Sequence, residues 1–208
     1  MLIQELGSRY FMSKLYFRFG AMNCGKTAVL LQVAHNYEEQ GMNILLIKPS
    51  IDKKAGSKVS SRIGLERDVD LLLTPEETIR ENLLSGNVSF DNLSCILVDE
   101  AQFLTKEQVN ELWIISKMCD IPVICYGLKT NFKGELFEGS KALLEKSDTL
   151  EENSTICKCG NKARFNARIE NGEYVSEGLE VAIDGIDAKY EPLCGKCYIQ
   201  KVLKKERY

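Results

Sequence analysis

Histidine is almost missing from this chain. Among 208 residues there is one, His35, and it falls in a stretch that reads as helix, so any base for proton transfer is expected among the carboxylates. Long apolar runs are missing too. None approaches the roughly 18 residues of a membrane span, and the N-terminus lacks the continuous apolar segment of a signal peptide. A cytoplasmic protein with no membrane partner is the expectation. Nor is there an excess of positive charge. With 27 Lys and Arg against 30 Asp and Glu the formal charge is −3, which argues against a surface built to hold a polyanion and hence against nucleic acid as a partner. What is present is a chain with 44% hydrophobic residues, long enough for one substantial core and a small appendage.

One stretch organises the rest. Gly20-Ala21-Met22-Asn23-Cys24-Gly25-Lys26-Thr27 fits G-x-x-x-x-G-K-[ST] at every fixed position. The glycines let backbone N–H groups turn inward around phosphate oxygens, Lys26 can reach the β and γ phosphates, and the Thr27 hydroxyl can ligate Mg²⁺. Lys14 to Phe19 has strand composition, and Ala28 to Glu39 reads as a helix whose positive dipole end would face the anion.

Asn43 to Lys48, closed by Pro49, reads as a buried parallel strand. Residues 52–62, rich in Lys, Ser and Gly, read as a mobile loop. Val69 to Leu73 reads as a third strand, and Thr74-Pro75-Glu76-Glu77 as a helix start with Thr74 as N-cap. Ser94 to Val98 is a continuous apolar run ending in Asp99-Glu100, a strand that delivers two carboxylates at its C-terminal edge. Asp99 suits a Mg²⁺ ligand opposite Thr27, and Glu100 suits a catalytic base. Thr105-Lys106-Glu107-Gln108 can cap a helix to about Met118, with Val109, Leu112, Trp113 and Ser116 on one face. Pro122 to Tyr126 is a fifth strand, and Gly127 opens a loop through Phe132 and Phe137. The class is α/β: a P-loop NTPase-type, mostly parallel sheet with helices on both faces over residues 13–150, binding ligands at the C-terminal strand ends. Residues 1–12 show no period and read as a disordered tail.

From about Asp148 the pattern changes to short β segments with a turn at Asn171-Gly172. This predicts a second, smaller domain over residues 151–200, followed by a basic tail over 201–208. The cysteines divide accordingly. Cys24, Cys95, Cys119 and Cys125 stand singly and read as small structural residues. Cys157, Cys159, Cys194 and Cys197 form two close pairs that suit a closed, structural zinc site. Asp99-Glu100-Ala101-Gln102 also imitates the D-E-x-x box of helicases. That rival reading, a nucleotide switch or motor whose zinc module grips a partner, has trouble with the short stretch between phosphate loop and cysteine module.

With these residues assembled, the chain resembles the thymidine kinases shared by bacteria, poxviruses and the animal cytosol. The likeness runs from Lys14 to Cys197. It is carried by the phosphate loop, then Ser60-Ser61-Arg62-Ile63-Gly64-Leu65, then Val98-Asp99-Glu100-Ala101-Gln102-Phe103-Leu104. Tyr126-Gly127-Leu128-Lys129-Thr130-Asn131-Phe132-Lys133-Gly134-Glu135-Leu136-Phe137 and the cysteine pairs around Lys189-Tyr190 complete it. The resemblance implies phosphorylation of the thymidine 5′-hydroxyl by ATP, with Glu100 as base. Gly20 to Thr27, Asp99 and Gln102 would serve ATP, Thr27 and Asp99 would hold Mg²⁺, and the four late cysteines would hold Zn²⁺. Met22, Phe103, Leu128, Phe132 and Phe137 would surround the thymine. Ile183, Gly185 and Tyr190 would meet the nucleoside from a lasso loop hung on the zinc domain. A homotetramer, inhibited by thymidine triphosphate, is also implied. Three departures stand out. Asp52-Lys53-Lys54 replaces a frequent Asp-x-Arg, Asn131 stands where close relatives often carry Asp, and Asp184-Gly185-Ile186 replaces Ile-Gly-Gly.

Overall fold

The computed structural model describes residues 13–50, 58–85, 92–180 and 188–204. The chain opens with β1 (Leu15–Phe19), turns through the glycine loop into α1 (Lys26–Glu39), and returns in β2 (Asn43–Pro49). A short antiparallel hairpin follows, β3 (Lys58–Ser60) with β4 (Glu66–Asp68), and then β5 (Leu71–Leu73). The part of the expected loop from residue 58 on is therefore partly strand, and residues 51–57, with Asp52-Lys53-Lys54, lie outside the described residues.

The helix expected at Thr74 starts later, as α2 (Ile79–Leu84), capped by the Thr78 hydroxyl, which accepts the Glu81 N–H at 3.1 Å. Thr74 to Glu77 is instead a turn. Glu77 folds back to accept the Thr74 N–H at 2.8 Å, and the Gln108 amide donates to the carbonyls of Thr74 and Glu77 at 2.8 and 2.9 Å. Those carbonyls are thereby taken up by a side chain from another element and do not start a helix.

Next come β6 (Leu93–Val98), a 3-10 turn at Ala101–Phe103, and α3 (Lys106–Met118). The capping box at Thr105 and Gln108 is present as the sequence predicts. β7 (Val123–Gly127) is followed by two elements that the sequence reading lacks, α4 (Glu138–Lys146) and β8 (Thr149–Glu152).

The six long-range strands form one sheet in the order β5-β2-β6-β7-β1-β8, and all five pairings are parallel. Alternate residues divide between two cores. Leu15, Phe17, Leu45, Ile47, Ile96, Val98, Val123 and Cys125 face α2, α3 and α4. Leu46, Cys95, Leu97, Ile124 and Tyr126 face Leu30, Leu31 and Ala34 of α1. Such two-sided burial is what continuous apolar strands require. Trp113 is only partly buried, with the Lys146 ammonium 4.7 Å from its ring centre. Of the single cysteines, Cys95 and Cys125 lie in the cores, whereas Cys119 is exposed at the C-cap of α3.

The remaining chain forms the small module: β9 (Thr155–Ile156) with β10 (Lys162–Ala163), then the sheet of β11 (Phe165–Glu170), β12 (Glu173–Val175) and β13 (Lys189–Leu193), then α5 (Gly195–Lys201). The β11–β12 hairpin turns at Asn171 and Gly172, both with positive φ (51° and 84°), as the Asn-Gly signal demands. Val202, expected in a tail, is buried beneath α5 and donates its N–H to the Tyr198 carbonyl.

Candidate active site

Three neighbouring parallel strands, β6, β7 and β1, end at the same sheet edge. They deliver Asp99 and Glu100, Leu128, and the glycine loop to one place, the usual consequence of parallel topology. Gly20 leaves β1 directly beneath the backbone of Asn153, whose N–H donates to the Phe19 carbonyl at 2.7 Å. A Cβ on Gly20 would stand 2.3 Å from the Asn153 carbonyl oxygen, so the first glycine is demanded by the chain that leaves the parallel neighbour β8. Asn23 and Gly25 take positive φ (65° and 79°), and α1 begins at once with Lys26. The Lys26 ammonium lies over the loop, donating to the carbonyls of Ala21 at 3.1 Å and Gly20 at 3.3 Å.

Thr27 Oγ1 donates to Asp99 Oδ2 at 3.4 Å, which joins the loop to the end of β6. Asp99 is buried. Burial first, and then the neighbouring Glu100, push its carboxyl up to about 7, against the opposing pull of a backbone N–H and of Lys26 and Lys48. Between the ordinary aspartate range and that value the folded protein holds a proton that the unfolded chain has released. Stability therefore falls as pH rises across the window and is level above it. Asp99→Asn is accordingly expected to raise the melting temperature of the magnesium-free protein more at about pH 8 than at about pH 4. Equal shifts at the two pH values in a thermal melt would show that the ionised Asp99 carries no cost.

Glu100 adopts left-handed backbone (φ 49°, ψ 39°), a conformation that costs a non-glycine residue about 1 kcal/mol or more and collects at functional positions. It lets the chain turn at once into the 3-10 turn. The carboxylate is held from that turn: Gln102 Nε2 donates to Glu100 Oε2 at 2.6 Å, while Gln102 Oε1 accepts the Leu128 N–H at 2.9 Å. One buried amide thus braces the base candidate against the loop after β7. The turn itself rests on α4. A Cβ on Gly139 would meet the carbonyls of Ala101 and Leu104, each at 2.6 Å, so the close approach of helix to turn requires glycine.

The four late cysteines converge. Their Sγ atoms all lie within 4.8 Å of one another, with Cys159 and Cys194 3.5 Å apart. Four thiolates around one tetrahedral zinc, at about 2.3 Å each, stand about 3.8 Å apart, so the set fits the ion. The Asn161 backbone N–H, helped by its side-chain amide and then by Cys194 and Cys197, draws Cys159 down to about 6, while Cys159 and Cys194 push Cys197 up to about 12, so the cluster itself favours one thiolate rather than four. All four positions are protein sulfur, leaving no open position for a water.

The thymidine kinase family model matches residues 13–198. The chain belongs to the thymidine kinase family. Relatives bearing the name thymidine kinase include that of Francisella tularensis subsp. holarctica (strain LVS), 46% identical over 191 residues, covering 89% of this chain and 96% of the relative. That of Shewanella oneidensis is 47% identical over 187 residues, covering 89% and 96%. That of Vibrio cholerae serotype O1 is 48% identical over 189 residues, covering 90% and 97%.

Within this thymidine kinase family chain, the carried-over base contacts fall as follows. Leu128, Phe132 and Phe137 are buried in the loop after β7, and Phe103 meets Phe137 edge-on with ring centres 5.6 Å apart. Met22 is half-buried in the glycine loop, and Tyr190 lies in β13 opposite Arg168. Ile183, Gly185 and the altered Asp184-Gly185-Ile186 lie outside the described residues. Two side chains that the sequence reading passed over tie the small module to these loops. Asn166 Oδ1 accepts the Met22 N–H at 2.7 Å while its amide donates to the Thr130 carbonyl at 3.5 Å, and the Tyr198 hydroxyl donates to the Phe132 carbonyl at 2.7 Å. Neither belongs to a recognisable motif. Tyr198 directly follows Cys197, the last of the four clustered cysteines, whereas Asn166 carries no local signal.

Proposed function

We propose that this chain transfers the γ-phosphoryl group of ATP to the 5′-hydroxyl of thymidine, with Glu100 as the base. The observation that carries the reading is the brace on Glu100: a carboxylate fixed by Gln102 at the sheet edge that also presents a phosphate loop. Glu100 takes the hydroxyl proton as the 5′-oxygen bonds to the γ-phosphorus, and the bond to the bridging oxygen breaks to release ADP. Lys26 and loop N–H groups other than that of Met22, which Asn166 takes, would hold the phosphates in line. Thr27 and Asp99 would hold Mg²⁺, which would supply positive charge against that of the phosphates. In this reading Gln102 serves the base more directly than it serves ATP. The enzyme is cytoplasmic, where its free thiols stay reduced, and is a homotetramer inhibited by thymidine triphosphate. Among the described residues no helix is long and apolar enough to cross a membrane.

Thymidine-dependent ADP release, measured beside nucleic-acid-dependent release, tests the reading. Release driven by nucleic acid and indifferent to thymidine would replace it with the motor.

The side chains that the resemblance puts around the base, Met22, Leu128, Phe132 and Phe137, are apolar or aromatic, so the base edge would be read largely by backbone groups of the lasso. A backbone pattern suited to the O4 acceptor and N3–H donor of thymine opposes the donor and acceptor of cytosine. Two buried mismatches reject deoxycytidine by roughly 10²- to 10⁴-fold. Deoxyuridine lacks only a methyl group and should lose about tenfold. Competition kinetics in which deoxycytidine matched thymidine would refute this order.

A further inference from the structure

Asn131 is buried, and its side chain is fully committed. Its Oδ1 accepts the N–H groups of Lys133 and Glu135, both at 3.0 Å, which shapes the turn that carries Phe132. Its Nδ2 donates to two carboxylates, Glu180 at 3.1 Å and Glu135 at 3.4 Å. Glu180 lies in a stretch of the small module that is also held at Glu177 and Leu179. Arg168 donates from Nη1 to the Leu179 carbonyl at 2.7 Å and from Nη2 to the Glu177 carbonyl at 3.5 Å. Its guanidinium lies 3.9 Å from the centre of the Phe132 ring, and its Nε is 2.9 Å from Glu170 Oε1. Segment, cation and aromatic ring therefore form one stack, closed at the far end by the Asn131 amide.

The geometry points to Asn131 and Glu180 as a latch that holds residues 177–180 against Phe132 and so positions the nucleoside. This rests on the thymidine kinase reading above. The pair is polarised: amide on the turn, carboxylate on the segment. An aspartate at 131, which the resemblance leads one to expect, would still accept the Lys133 and Glu135 N–H groups and keep the turn. It would also turn a charge-assisted hydrogen bond into a facing pair of carboxylates, with Glu135 as a third. The partner on the segment must match the residue on the turn, and in this chain Glu180 matches Asn131.

The test is a swap. Asn131→Asp should raise the thymidine KM about 10- to 100-fold while leaving the ATP KM within about threefold. Glu180→Gln alone, which leaves amide facing amide, should raise it less than about tenfold. Combining the two restores a donor and an acceptor in reversed order, and should bring the thymidine KM at least about fivefold below that of Asn131→Asp alone, the rest of the deficit coming from Glu135. Hydrogen exchange at the amides of residues 177–180 should quicken in Asn131→Asp and slow again in the double variant. A double variant whose defect is the product of the two single defects, or exchange that does not move, overturns the latch. Should the wild-type protein not phosphorylate thymidine at all, the kinase reading fails, and the exchange series still decides the latch by itself.

Discussion

Glu100→Gln is expected to keep its affinity for ATP and thymidine and to lose about 10²- to 10⁴-fold in turnover, the share that a positioned base contributes. The substitution preserves volume, and its side-chain oxygen can still accept the Gln102 amide that approaches Oε2 at 2.6 Å. Only the capacity to take a proton is removed. The left-handed backbone at this position also stays the same, because neither residue is branched at Cβ. Lys26→Ala should behave differently. Its ammonium stands over the loop carbonyls of Gly20 and Ala21, where it would meet phosphate in the ground state and more strongly as charge moves in the transition state, so ATP affinity and turnover both fall. Single-turnover kinetics separate the two patterns. Near wild-type turnover in Glu100→Gln would remove Glu100 from the mechanism.

Cys159→Ser, or removal of the metal, should have the broadest effect. Among the described residues, the buried apolar cluster of the small module consists of seven residues, two of them from the four-cysteine cluster, too few for independent stability. The metal's apparent binding energy, about 10 to 16 kcal/mol in small zinc modules, is in effect the module's folding energy. Metal analysis should give one zinc per chain. The large sheet has its own two cores and should remain folded, so that unfolding splits into two transitions. Thymidine binding should be lost, since Phe132 loses the Tyr198 hydroxyl. ATP binding should weaken as well, because Asn166 holds the Met22 N–H of the phosphate loop from the same module. Calorimetry of the chelated protein checks both ligands. A metal-free preparation with normal activity would refute the structural role.

What could be read in advance was what local chemistry determines. The capping box at Thr105 and Gln108, the Asn171-Gly172 turn and the loop from Gly20 to Thr27 each depend on residues a few positions apart, and each is found where the sequence puts it. α4 was hidden because its inner face is made of Gly139, Ser140 and Ala142 beside Leu143, small residues with little apolar period. β8 was hidden because it is an edge strand with polar composition and half-exposed Leu150. Thr74 with Pro75 after it carries the local start signal, but Gln108, from another helix, takes up the Thr74 and Glu77 carbonyls and the helix begins behind Thr78. The site divides in the same way. Lys26, Thr27, Asp99 and Glu100 sit in local motifs, whereas Asn166 and Tyr198 act across 144 and 66 residues of chain, a distance over which no local pattern carries information.

The position of β1 has a consequence for synthesis. Its neighbours in the sheet are β7 and β8, so that Arg18 is bonded to residues 108 and 133 positions further on. The strand that leads into the phosphate loop leaves the ribosome early and pairs late. Until β7 and β8 have emerged, Leu15 and Phe17 have no sheet to enter, and such distant pairings are slow to form and open to aggregation meanwhile. A nascent chain stalled before Val123 should therefore be protease-sensitive at its N-terminal strand and bound by chaperones, while one extended beyond Asn153 should close the sheet and fix the Gly20 turn in the same step.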